Sequence, residues 1–229
     1  MGMTMLTDGG LACLLAWSSP SFPIGAFSYS HGLETVVDSG EVKTAAELVA
    51  YVEAVLSRGG AWADAVLFAH AHRAAGDPEA FDELAELAAA FRATSETALE
   101  SHQQGQACLK VTRAAWPHEG LDDFAGRYPG PVAHAAASAL AAATHGIPLR
   151  PALAAWLHGT AANLVSAGVR LVPLGQTDGQ IALARLLPVI ERVTDAALAT
   201  PLEDLGTAAP LLEFASMAHE TLYTRLFRS

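Results

Sequence analysis

The chain has 229 residues, of which 52% are hydrophobic and 16% charged, with a formal charge of −11. A helical domain of this size withdraws roughly 70–75% of its unfolded surface from water, so it needs no disulfide framework and no structural metal, and disorder is excluded for most of the chain. The 13 Lys and Arg residues are scattered, and only Lys43 and Lys110 are lysines. That pattern speaks against phosphate neutralisation and a nucleic-acid function.

The apolar stretch Leu11–Trp17 has no Lys or Arg before it, the first basic residue being Lys43, so the secretory reading fails. No run is long and apolar enough for a transmembrane helix. Cys13 and Cys108 form no CxxC pair; they suit a reducing compartment, with a single bridge left open. The expectation is a cytoplasmic protein with no membrane partner.

Gly and Pro divide the sequence into helix-length segments, rich in alanine and leucine and poor in β-branched runs. Residues 10–18 predict a short apolar helix. Pro20–Ala26 reads as a loop, with Ser28 capping a helix over 28–38. Thr44 and Glu47 stand at capping-box spacing before Leu48, Val52, Val55 and Leu56. A further helix is expected over 62–75. Asp77–Pro78 then supplies an N-cap with proline at the first helical position, leading into Phe81, Leu84, Leu87 and Phe91.

The next helix is expected over 96–115. Residues 117–130, with three glycines and two prolines, read as a long loop. Helices follow over 131–145, 151–171, 178–199 (capped by Asp178) and 210–223. No period-2 alternation of useful length occurs. The expected fold is all-α, a single-domain bundle of roughly nine to ten helices spanning 1–229, with 220–229 as a candidate partner-docking tail.

Tests for chemistry return mostly absences. There is no GxxxxGK[ST] loop, no HExxH and no GxSxG. His70 and His72 would point about 200° apart on a helix. His31 and Glu34 share a face at i, i+3, the spacing of some metal sites and also a frequent solvated pair.

Two features remain. Arg170 lies in the apolar run Leu164–Leu174, where a guanidinium must snorkel or find a partner: a structural ion pair or a role at a subunit surface. Arg225, Leu226, Phe227 and Arg228 stand just before the final Ser229. Either they pack back on the bundle or they dock in a partner, being residue types enriched at interface hot spots.

Four blocks together resemble the urease accessory protein F family. They are Ser19–Glu34, which carries a Pro-Gly loop into Phe-Ser-Tyr-Ser and Gly-Leu-Glu; Arg92 with Ser95 and Gly105; Leu164–Gln180; and His219-Glu220 with Arg225–Ser229. Ala26 departs from the pattern, where the family often has a second glycine. The resemblance implies an all-α, dimerising, non-enzymatic adaptor or chaperone. Its implied partners are the D-type accessory protein (H-type in some systems), the G-type GTPase and apo-urease. No cofactor is tightly bound; nickel is handled by the complex, coupled to GTP hydrolysis on the G-type subunit. The family has been likened to GTPase-activating proteins, which can supply an arginine, though no residue here is identified as that finger.

Under this reading Phe22, Ile24, Phe27, Tyr29 and Glu34 belong to an element near the partner surface, with Arg170, Arg225, Leu226, Phe227 and Arg228. The alternative is a stand-alone helical metal-binding protein or enzyme using His31, Glu34 and a remote His102 or His158.

Overall fold

The computed structural model describes residues 5–229. Eleven α-helices follow one another: α1 (Asp8–Trp17), α2 (Leu33–Asp38), α3 (Ala45–Arg58), α4 (Gly60–Ala74), α5 (Pro78–Ala90), α6 (Ser95–Ala115), α7 (Glu119–Arg127), α8 (His134–Thr144), α9 (Leu149–Leu171), α10 (Gln176–Ala199) and α11 (Pro210–His219). Short 3₁₀ turns occupy Ala26–Ser28 and Leu202–Asp204. The described residues contain no strand, and no helix among them is long and apolar enough to cross a membrane.

α4 is the central helix. It buries nine of its residues around most of its circumference, including Ala63, Ala65, Val66, Phe68 and Ala69, which is the pattern of an enclosed helix. α3, α5, α8, α9 and α10 pack around it. α8, seven of whose eleven residues are alanine, lies between α4 and α6, and its small side chains allow the backbones to come close. Gly105 on α6 marks the tightest point. A Cβ there would sit 2.0 Å from the Val132 carbonyl oxygen and 2.7 Å from the carbonyl carbon of Ala133, so only hydrogen fits.

Two starts behave as expected. Thr44 and Glu47 form a reciprocal capping box, and the Asp77 side chain accepts from the Ala80 N–H ahead of Pro78. Three details differ from the sequence reading. The stretch 117–130 contains α7, whose Leu121 and Phe124 are fully buried; Phe124 meets Phe81 edge-to-face at 5.0 Å. This raises the α-helix count to eleven. Asp178 lies inside α10 rather than at its cap, with its Oδ2 accepting from the Gly175 N–H at 3.0 Å. Finally, Ser28 caps nothing: the chain runs extended at Tyr29, and α2 begins only at Leu33.

Candidate functional site

The delay before α2 builds the site. His31 (φ 54°) and Gly32 (φ 77°) are successive left-handed residues, and His31 is the one non-glycine with positive φ among the described residues. Such a backbone costs about 1–3 kcal/mol and persists only when its surroundings hold it. The Tyr51 hydroxyl donates to the His31 carbonyl at 2.6 Å. At Gly32 a Cβ would lie 2.8 Å from the Ser216 backbone nitrogen, so α11 rests directly on this turn.

The turn leaves Ser28–Ser30 as a rail for the last residues of the chain. Arg228 N–H donates to the Ser28 carbonyl at 2.8 Å, and Ser30 N–H donates to the Ser229 carbonyl at 2.9 Å. The Ser30 hydroxyl donates to that same carbonyl. Glu34, at the start of α2, accepts the Leu226 N–H on Oε1 at 2.7 Å and the Phe227 N–H on Oε2 at 3.0 Å. Charge-assisted bonds of this kind are the stronger class.

His219, wholly buried at the end of α11, lies between two carboxylates. Its Nε2 is 3.0 Å from Glu34 Oε2, and its Nδ1 is 2.8 Å from Glu96 Oε2. Arg225 closes the group with a 2.9 Å bond to Glu96 Oε1, and the Ser95 hydroxyl donates to Glu220 at 2.5 Å. Every element that meets here, α2, α6, α11 and the last segment, contributes at least one partner.

Behind this seat lies a cavity of about 450 Å³, walled by Trp17, Phe22, Phe68 and Trp156 and floored by Asp64, Arg92, Glu100 and His134. Arg92 grips Asp64 with two bonds, of 2.6 and 2.9 Å. Burial lowers His134 to about 4, so its ring is neutral here. Burial likewise pushes the Cys108 thiol up to about 11. Cys13 and Cys108 are both free.

Among the described residues no three His, Cys, Asp or Glu side chains converge where an ion could sit. The His31–Glu34 pair is not brought together either. His31 faces Glu100, while Glu34 faces His219 and the backbone of 226–227. His102 meets the Ala89 carbonyl.

The residues expected near a partner surface fall into two groups. Tyr29, Glu34, Arg170 and Arg225–Arg228 gather in one patch, whereas Phe22 and Ile24 face the cavity. Tyr29 is buried, and its hydroxyl donates to Gln103 at 2.5 Å; Arg228 reaches the same Gln103 oxygen at 3.5 Å. Phe227 is only 4% exposed, packed against its own chain, while Leu226 is 73% exposed.

Arg170 makes none of the ion pairs found among the described residues, so the structural ion-pair expectation is corrected. Its Nη2 donates to the Phe27 carbonyl at 2.9 Å, and its guanidinium lies 4.4 Å from the Phe227 ring centroid. Leu164, Val165, Ala167 and Gly168 form the buried face of α9, and Arg170 stands on its exposed side. Glu96 and Glu100 were not singled out in the sequence, and His219 entered only as part of a resemblance block, not as a site residue. The available signal was His219 in register with Ala215 and Ser216 on an otherwise apolar helix, since a buried histidine demands partners.

The comparisons with known proteins agree over nearly the full length. A family model described as UreF matches residues 42–187. A urease accessory protein UreF from Granulibacter bethesdensis is 51% identical over 224 residues, covering 97% of this chain and 95% of that one. Two others of the same name, from Rhodopseudomonas palustris (strain BisB5) and Xanthobacter autotrophicus, are 47% and 46% identical over 218 residues, covering 94% of this chain and 90% of each relative. The chain belongs to the UreF family of urease accessory proteins.

Proposed function

We propose that this chain is a non-catalytic adaptor in urease maturation, joining the D/H-type accessory protein and the G-type GTPase on apo-urease during nickel insertion. It does so as one all-helical unit, as a homodimer, in the cytoplasm. It holds no cofactor of its own, and nickel belongs to the complex as cargo. Any effect on GTP hydrolysis is exerted on the GTPase.

The observation that carries this reading is the surface beside the seat of residues 220–229. Leu211, Phe214 and Met217 are exposed at three-residue spacing on α11, with Tyr223, Leu226 and Phe27 also exposed. The buried carboxylates next to them are meanwhile occupied by the chain's own groups. Side chains of this type, rimmed by arginines, are the ones that anchor protein interfaces.

Co-purification tests the reading. The chain is expected to elute with the D-type and G-type proteins, and Phe214→Ser with Leu226→Ser is expected to weaken that association at least tenfold with the helical signal unchanged. Calorimetric titration of the isolated chain with Mg-GTP is expected to give no heat of binding. A micromolar nucleotide site on this chain, or normal association of the double variant, would overturn the proposal.

A further inference from the structure

His31 and Glu100 sit at the joint between the cavity and the seat of residues 220–229. The His31 Nδ1 is 3.1 Å from Glu100 Oε2, and the two side chains are 24% and 5% exposed. The approach is oblique, and this nitrogen has no aligned hydrogen bond, so the contact is chiefly one of charge. Glu100 Oε2 is also the acceptor for the Ser229 hydroxyl at 2.8 Å, while Oε1 accepts from Gln104 at 2.9 Å. One buried carboxylate oxygen therefore faces the histidine on one side and the last residue of the segment on the other.

The charged and titratable groups around His31 come from each packed element. They are Glu100 on α6, Asp64 on α4, Arg92 just beyond α5, the neutral Tyr51 hydroxyl on α3, which bonds the His31 carbonyl, and the neutral His134 at the start of α8, on the same cavity. Burial by itself pushes the His31 imidazole down; the charge of Glu100 and its contact, with a smaller pull from Asp64, outweigh burial and the repulsion of Arg92 and raise it above its ordinary 6.5. Arg92 is bonded to Asp64 and reaches Glu100 only through its charge, so among the ion pairs of the described residues His31 is the one in contact with Glu100. When His31 loses its proton, Glu100 loses its contacting cation and keeps only its hydrogen bonds and the charge of Arg92. An unpaired buried charge is costly, and hydration relieves it. Water reaches Glu100 when the segment carrying Ser229 lifts.

We propose that His31 is a proton-dependent catch: its protonated ring compensates Glu100 and keeps residues 226–229 seated, and loss of that proton releases them. The sign follows from the direction of the shift. The folded state binds the proton more tightly than the unfolded chain, so the stabilisation is complete below the ordinary 6.5 and disappears as pH rises through the raised value. His31 is also in the left-handed turn against which α11 rests, so release is transmitted to Tyr29 and the rail. Its consequence for partners rests on the adaptor reading above; the catch itself is measured on the free chain.

The test is hydrogen exchange on the full chain from about pH 5.5 to about pH 8.5, corrected for intrinsic exchange, across the range where histidine changes charge. Protection of the amides of Ser30, Leu226, Phe227 and Arg228 is expected to fall at least fivefold as pH rises above 6.5, while α4 and α8 stay unchanged. In His31→Asn, which tolerates the left-handed backbone, that dependence is expected to vanish. Persistence there would assign the catch to His219 or the carboxylates and overturn the proposal, as would a flat profile in the unaltered chain. An NMR titration gives a second measurement independent of any folding defect. The His31 midpoint is expected above 6.5 and is expected to drop in Glu100→Gln; a midpoint at or below the ordinary value would also overturn the proposal. Loss of partner binding with the exchange behaviour intact would count against the adaptor reading alone.

Discussion

The layer formed by α4, α6 and α8 and the seat of residues 220–229 are built from opposite materials. In the layer, the alanine-rich faces of α4 and α8 pack together, and Gly105 lets α6 approach the backbone entering α8. Where α4 meets α8, cohesion is chiefly dispersion and removal of apolar area from water, which are non-directional. In the seat, a 14-residue stretch from Ser216 to Ser229 meets Glu34, Glu96 and Glu100 through His219, Arg225, the backbone N–H groups of Leu226 and Phe227, and the Ser229 hydroxyl. Those bonds hold only while each charge keeps its partner. One region opens only when the whole molecule unfolds, whereas the other can open alone, the behaviour expected of a low-stability element beside a binding surface.

The largest break in this contrast is expected at Gly105. In Gly105→Ala the new methyl meets backbone at 2.0 Å, and no side-chain rotation relieves it. α6 must separate from the start of α8, at about 3 kcal/mol or more for an overpacked core. For a chain of this length that lowers Tm by about 6–12 °C. Thermal unfolding followed by circular dichroism measures it, and an unchanged Tm would mean that this layer is not tightly packed. The loss is expected to be the same at low and high pH.

Next in size is Glu34→Gln. The amide loses the charge that faces His219 and can no longer accept on both sides from Leu226 and Phe227. Weakening the charge-assisted hydrogen bonds of a buried carboxylate costs about 1.5–3 kcal/mol. Here the loss cannot exceed the docking free energy of the segment, because release lets water take the place of the missing partner. The expected result is cleavage of residues 220–229 by a low dose of protease, with the helical signal retained. Intact protease resistance would show that the segment is held by Phe227 packing rather than by Glu34.

These two regions were unequally legible in the sequence. Helix starts carried by neighbouring residues were readable, as at Thr44–Glu47 and Asp77–Pro78, because capping is a local interaction. The layer was readable as alanine-rich helix but not as a set of contacts. α7 was missed because Gly120 and Gly126 mimic a loop, and what overrides them is the burial of Leu121 and Phe124 against a distant Phe81. The seat was the least legible. Glu34 bonds residues 192 and 193 positions away, and Arg170 reaches Phe27 across 143. No local pattern encodes such pairings. The residues of the last segment were singled out, yet which of them face inward followed only from the rail at Ser28–Ser30.

The smallest expected effect is at Arg170, and it tests whether the seat extends beyond its buried carboxylates. The guanidinium lies over the Phe227 ring from outside, 4.4 Å from the centroid, and at an exposed position such a contact contributes about 0.5–1 kcal/mol. It also donates to the Phe27 carbonyl, a bond that ties the rail to α9 independently of the ring. A double-mutant cycle separates the two roles. Arg170→Ala removes both, Phe227→Leu removes the aromatic face while keeping apolar bulk, and the pair together gives the coupling. A coupling of about 0.5–1 kcal/mol is expected. Arg170→Lys is expected to behave more like the alanine variant, because an ammonium lacks the flat face that stacks on a ring. A coupling near zero with a retained loss in Arg170→Ala would place the whole contribution on the Phe27 carbonyl. Arg170 would then position the loop rather than clamp the segment, and the seat would be held by Glu34, Glu96 and Glu100 together with the Ser28–Ser30 rail.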